Sequence, residues 1–188
     1  GRVIEQQKNL YKIASETGMA LAALAGRFHY SCIGTEDYPA VGDFVLYRQD
    51  GASDTLCIIE RVTDRRTSLK RKAAGATSDV QIMASNIDSV WITTSLNDEL
   101  NPRRIERYLT AVWNSGADPV LILNKADICD SIEEILASLK EVTAGIDVHV
   151  VSALNEEGIH ELKRYFADNK TVAIAGSSGV GKSTLINA

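Results

Sequence analysis

Apolar positions in the first 72 residues come in short runs broken by turn-prone stretches. RVIEQ (2–6), LYKIAS (10–15), ALAGRFHYS (23–31), DFVLYR (43–48), LCIIERV (56–62) and SLKRK (68–72) read as strands. EDYPAVGD (36–43) and QDGASD (49–54) read as turns between them. Many short strands with few helical periods predict a small β-barrel. AAGATSD (73–79) is small and polar and is read as the linker. After it the pattern changes. SVWITTS, PVLILN, VHVVSA and TVAIAG are continuous apolar runs rich in Val and Ile, as parallel strands covered on both faces require.

Helical periods separate these runs. Asn101 is placed as a cap, Pro102 at the first helical position and Gly116 just past the end, with an apolar stripe of Ile105, Leu109, Val112 and Trp113. Ser131 and Glu134 have capping-box spacing ahead of Ile135, Leu136, Leu139 and Val142. A third stripe runs through Ile159, Leu162 and Phe166. Strand–helix alternation predicts a doubly wound sheet, with ligands gathering at the carboxyl ends of its strands.

Composition changes this picture little. The 188 residues are 45% hydrophobic and 24% charged, which is ordinary globular material. No apolar run approaches the roughly 20 residues of a membrane span, and GRVIEQQKNLY holds no signal-peptide core. Without an initiator Met the N-terminus is expected to be trimmed. Cys32, Cys57 and Cys129 form no CxxC and no metal spacing, and are read as reduced core thiols of a cytoplasmic protein. His29, His149 and His160 form no ligand pattern and are read as structural.

Charge is more informative. The net charge of −5 divides into +1 over residues 1–80 and −6 over 81–188. Arg61, Arg65, Arg66, Lys70, Arg71 and Lys72 lie within twelve residues, with Asp64 the only acid among them. A solvated face is the plainer reading of such a run, and a nucleic-acid contact the sharper one. Alternation along SLKRK puts Lys70 and Lys72 on one face, and Arg65 and Arg66, in the turn-like TDRRTS, are expected to project freely. Phe28, Tyr30, Phe44 and Tyr47 are the few aromatics available for stacking, so recognition of phosphate and folded RNA shape is favoured over single-strand stacking.

Two motifs sit at strand ends. GSSGVGKST follows TVAIA and comprises Gly176, Ser177, Ser178, Gly179, Val180, Gly181, Lys182, Ser183 and Thr184. It fits GxxxxGK[ST]. Its glycines let backbone N–H groups curl around a phosphate, Lys182 is a mobile cation for the β- and γ-phosphates, and the Ser183 hydroxyl is placed to ligate Mg²⁺. NKAD follows PVLIL, with Asn124, Lys125 and Asp127. An ionised Asp127 accepts from both donors on the guanine edge, whereas the acceptor at N1 of adenine would repel it. Asn124 is expected to bond the ring edge and to brace the neighbouring loop, while the Lys125 stem covers the base. Ser152, Ala153 and Leu154 follow VHVV, where a turn would bring a backbone N–H near guanine O6.

NKAD, then SAL, then GSSGVGKST is the motif order of circularly permuted GTPases. With a barrel in front, the chain resembles the RsgA family of these GTPases, the YjeQ/YloQ type. VGDFV (41–45), RRTSLKR (65–71), ASNIDSVWI (84–92) and ERYL (106–109) strengthen the likeness. The resemblance implies an OB-fold barrel (1–72), a linker (73–80) and a circularly permuted α/β Ras-like GTPase domain (81–188) with a mainly parallel sheet, incomplete at its C-terminal end. It implies GTP/GDP and Mg²⁺ as ligands and zinc only in a further C-terminal domain. It also implies a cytoplasmic monomer acting on the maturing 30S subunit and its 16S rRNA, stimulated by that subunit. The switch regions and hydrolytic residues are then expected beyond Ala188, which would leave these 188 residues inactive in hydrolysis. Two other functions stay open: an RNA- or ribosome-binding module with the nucleotide as allosteric ligand, and an ATP-dependent small-molecule kinase, which would have no use for NKAD.

Overall fold

The computed structural model describes residues 1–8, 10–50, 53–72, 80–97 and 100–188, and these form two compact units, Gly1–Asn86 and Ile87–Ala188. The expected linker at 73–79 lies outside the described residues. The expected boundary at residue 81 falls within a strand that belongs to the first unit.

In that unit β1 (Arg2–Gln6), β2 (Tyr11–Ser15), β3 (Gly18–Leu24), β4 (Val45–Asp50) and β5 (Ser53–Val62) form one sheet in the order β1-β2-β3-β5-β4. The β3–β5 pair is parallel and the other pairs are antiparallel. Residues leading into β4 bond back to β1: Val3 N donates to Asp43 O and Gly42 N to Val3 O, each at 2.8 Å, and Val45 N donates to Gly1 O at 2.9 Å. These bonds tie the start of β4 back to β1, the strand at the other end of the sheet. Period-2 alternation turns Val3, Tyr11, Ile13, Val45 and Ile59 inward, where they pack with Ala22, Phe28 and Cys57.

Phe28 arrives differently from the sequence expectation. ALAGRFHYS is not one strand, because β3 stops at Leu24 and Gly26–Ser31 form a short helix, α1. Six residues are too few to display a helical period in the sequence, and the helix turns Phe28 into the core while Tyr30 is 94% exposed. β6 (Ser68–Lys72) pairs antiparallel with β7 (Val80–Ser85), a strand the sequence reading did not find. A bulge between Leu69 and Lys70 interrupts the alternation expected along SLKRK.

The second unit holds four parallel strands, β8 (Ser89–Ser95), β9 (Asp118–Asn124), β10 (Asp147–Val150) and β11 (Val172–Gly176), in the order β10-β9-β8-β11. Nearly all of β8 is buried, as its unbroken apolar run requires. α2 (Pro102–Ser115) starts and stops where the punctuation placed it. Asn101 accepts the Arg104 N–H, Pro102 opens the helix, and Gly116 closes it at φ 83°. Ile105, Leu109 and Val112 are buried, but Trp113 is 54% exposed. It lies about 80° around the helix from Ile105, at the rim of the stripe.

α3 (Ile132–Leu139) forms without the expected capping box. Ser131, at φ −122° and ψ 43°, lies outside the extended conformation that lets a cap hydroxyl reach back, and it makes no side-chain cap bond. α4 (Ile159–Leu162) runs into 3₁₀ turns kinked at Ala167 and Asp168, leaving Phe166 half-exposed. Tyr165 from this segment donates to Asp147 at 2.7 Å and bonds the buried His149 at 2.9 Å, tying the segment to β10. That hydrogen bond from Tyr165 holds the Asp147 carboxyl below the usual carboxylate range. α5 (Lys182–Asn187) follows β11. Cys57 is buried, Cys32 and Cys129 are half-buried, and all three are free thiols. No helix among the described residues is long and apolar enough to cross a membrane.

Candidate functional site

One side chain joins the carboxyl ends of the strands. Asn124, the last residue of β9, is 2% exposed. Its Nδ2 donates to Val180 O of GSSGVGKST at 2.9 Å, and its Oδ1 accepts from Ala153 N at 3.0 Å. All three motifs, spread over 60 residues of sequence, therefore meet at one amide. The bracing contact expected of Asn124 is present, and the Ala153 N–H of the SAL turn is bonded to it. Gly181 makes room for this. A Cβ there would collide with Asn124 Nδ2, and its φ of 91° disfavours any other residue. Gly176, at φ 151°, packs against the Thr93 carbonyl of β8, and a Cβ would collide with that oxygen.

The remaining NKAD residues leave β9 sharply. Lys125 takes the left-handed conformation (φ 66°, ψ 43°), uncommon for a residue with a Cβ and a mark of functional loops. The turn lets Ala126 N donate to Val151 O at 3.1 Å. Asp127 is then exposed, with Oδ1 accepting the Ser152 hydroxyl at 2.5 Å. Ser152 is itself fully buried and accepts from Asn155 N at 3.2 Å, so a rigid hydroxyl aims an exposed carboxylate. Leu154 is 75% exposed at the same turn.

Over the loop, Lys182 Nζ donates to Gly176 O at 3.0 Å and to Ser177 O at 2.6 Å. Ser178 and Gly179 are exposed, Val180 is buried, and Ser183 and Thr184 are exposed in the first turn of α5. A glycine cradle, a lysine folded across it and a free-facing hydroxyl suit a polyphosphate with a hard cation. One contact escaped the sequence pattern: Arg104 of α2 donates to Ser177 Oγ at 2.9 Å across 73 residues, a separation no local signal bridges.

The basic run is not assembled into one patch. Arg65 turns inward and is 17% exposed, with Nε and an Nη bonding Asp43 at 2.8 and 2.6 Å and further bonds to the carbonyls of Glu36 and Tyr38. The expectation that it projects freely is therefore corrected: Asp43 is fully buried and needs a counter-charge. Lys70 pairs with Glu36 at 2.5 Å. The Arg66 backbone N–H bonds Asn86 Oδ1 at 3.0 Å and its side chain is exposed. Arg61, opposite Leu46, and Arg71, opposite Gln81, are exposed. Lys72 closes β6 opposite Val80.

A parallel sheet with GSSGVGKST after one strand and NKAD after another has the architecture and motif order of a permuted phosphate-loop α/β protein. Comparison with known proteins agrees. Residues 62–188 match the family model of the RsgA GTPase. The chain is 40% identical over 187 residues to small ribosomal subunit biogenesis GTPase RsgA 1 of Oceanobacillus iheyensis, covering 100% of this chain and 53% of that protein. It is 38% identical over 188 residues to RsgA of Methanosarcina acetivorans, covering 100% and 50%. Crystal structures of YjeQ from Thermotoga maritima (TM-score 0.77, 28% identity) and of YloQ, described as a circularly permuted GTPase (TM-score 0.71, 24% identity), each match the whole chain and 63% of their own. The chain belongs to the RsgA GTPase family. It spans about half the length of the curated relatives it matches.

Proposed function

We propose that the protein carrying this chain binds GTP and GDP with Mg²⁺ and hydrolyses GTP in the late assembly of the small ribosomal subunit, stimulated by that subunit. The observation that carries this is the Asn124 bridge, which holds NKAD, SAL and the phosphate loop as one unit. Asp127, aimed by Ser152, reads guanine, the Lys125 stem covers the base, and Ala153 and Leu154 shape the turn beside it. Residues Gly176–Thr184 wrap the phosphates, Lys182 meets the β- and γ-phosphates, and Ser183 holds Mg²⁺. When bound, the cation neutralises charge on the phosphate oxygens. In the full-length protein, Lys182→Ala is expected to weaken nucleotide binding and abolish turnover, while Ser183→Ala mainly removes the Mg²⁺ dependence of binding. Nucleotide titrations with and without Mg²⁺, and phosphate release with and without small subunits, check this. Turnover by Lys182→Ala at the wild-type rate would overturn the reading.

The first unit is proposed to be an OB-fold barrel facing 16S rRNA. Its joined five-strand sheet with a parallel β3–β5 pair supports that reading. Arg61 and Arg71 are exposed cations open to phosphate contact, whereas Arg65 and Lys70 already hold carboxylates. Each phosphate neutralised adds roughly 0.7–0.9 to the slope of log affinity against log salt. Replacing Arg61 and Arg71 by Ala is expected to flatten the slope for small-subunit binding by about 1.5 and leave GTP affinity unchanged. An unaltered slope assigns both residues to a solvated face. The protein is proposed to act as a cytoplasmic monomer.

A further inference from the structure

We propose that Arg104 is a second phosphate-binding cation of the loop, working beside Lys182 and favouring the nucleotide with more phosphates. The proposal rests on the nucleotide-binding reading above. Arg104 lies in the first turn of α2, where its backbone N–H is held by the Asn101 cap at 3.2 Å. Its side chain is half-buried and reaches the loop, where one Nη donates to Ser177 Oγ at 2.9 Å.

Among the described residues Arg104 differs from the arginines that hold a carboxylate. Arg65 is held by Asp43, Arg164 by Asp147, and Arg27 and Arg48 by Glu60. Among the described residues no carboxylate lies within ion-pair distance of Arg104 or of Lys182. These two cations meet at one residue, since the Ser177 carbonyl accepts from Lys182 and its hydroxyl from Arg104. A guanidinium carries five donors, and a single hydroxyl satisfies one. Two like charges converging on one partly buried loop residue repel each other and focus a positive potential there. A polyphosphate compensates both, and each added phosphate increases what the guanidinium gains. A neutral strut between α2 and the loop would need no charge and would not distinguish one phosphate number from another.

The test uses the full-length protein with Arg104→Gln and Arg104→Lys, and fluorescent GDP and a non-hydrolysable GTP analogue as probes, at low and high salt. Arg104→Gln is expected to weaken the GTP analogue by about tenfold or more and GDP by clearly less, with a shallower salt dependence. Arg104→Lys is expected to recover most of the loss. Melting of the nucleotide-free protein shows whether Arg104→Gln still folds, and the ratio of GTP to GDP affinity within each variant is insensitive to a shared loss of folded protein. Equal losses for the two nucleotides, or Lys no better than Gln, would overturn the proposal and leave Arg104 a strut. Wild type that binds GTP, with Arg104→Gln unchanged, overturns this inference alone. Wild type that binds no guanine nucleotide overturns the reading beneath it as well.

Discussion

Asp127→Asn is expected to move nucleotide preference from guanine towards xanthine. In the proposed site the carboxylate accepts from two adjacent donors on the guanine edge. An amide offers one acceptor and one donor, so a donor faces a donor when guanine binds. Losing a charge-assisted bidentate pair costs on the order of 1.5–3 kcal/mol, or roughly ten- to a hundredfold in GTP affinity. Xanthine carries an oxygen at C2 and suits the new amide. The Ser152 bond survives the exchange, because the amide oxygen can still accept at the position Oδ1 holds now. The side chain should thus keep its aim while its specificity changes. Titrating labelled GTP, ATP and XTP against full-length wild type and variant measures this. Wild type that binds ATP as well as GTP would remove Asp127 from its assigned role.

How much of this was legible in the sequence depends on the range of the interaction. The four parallel strands and the ends of α2 were readable because burial on both faces and capping by Asn101, Pro102 and Gly116 are local signals. The nucleotide motifs were legible as residue types at fixed spacing. How they connect was not, since the Asn124 bonds to Val180 and Ala153 span 56 and 29 residues. Failures in the first unit have physical causes. α1 was too short to show a period. β7 was absorbed into the apparent domain boundary, although Val80, Ile82 and Ala84 alternate as a strand should, because it follows the polar stretch read as a linker. Charge was misread most, because a run of cations carries no record of which carboxylates fold back onto it. Arg65, expected with Arg66 to project freely, is folded back onto Asp43.

Arg65→Ala is accordingly expected to be a stability variant of the first unit rather than an RNA-binding one. Asp43 is fully buried and accepts from Ala40 N at 2.8 Å, from the Ser85 hydroxyl at 2.5 Å and from the Arg65 fork. The first two are neutral donors and leave the charge uncompensated. Removing one partner of such a pair costs about 3–5 kcal/mol, a large share of the roughly 5–15 kcal/mol that holds a domain folded. The site is also a junction. Asp43 sits where the chain bonds back to β1, Arg65 precedes β6, and Ser85 ends β7, so the loss should loosen sheet and ribbon together. Arg65→Lys should recover only part, because an ammonium cannot reproduce the fork and also reach the Glu36 and Tyr38 carbonyls. Adding Asp43→Asn to Arg65→Ala should recover part by another route, since the unpaired charge is the costly element. Arg71→Ala, at an exposed position, should stay within about 0.5 kcal/mol of wild type. Urea denaturation of the four variants orders them. If Arg65→Ala is no less stable than Arg71→Ala, the Asp43 pair does not hold this unit together and Arg65 returns to the candidates for the RNA-facing surface.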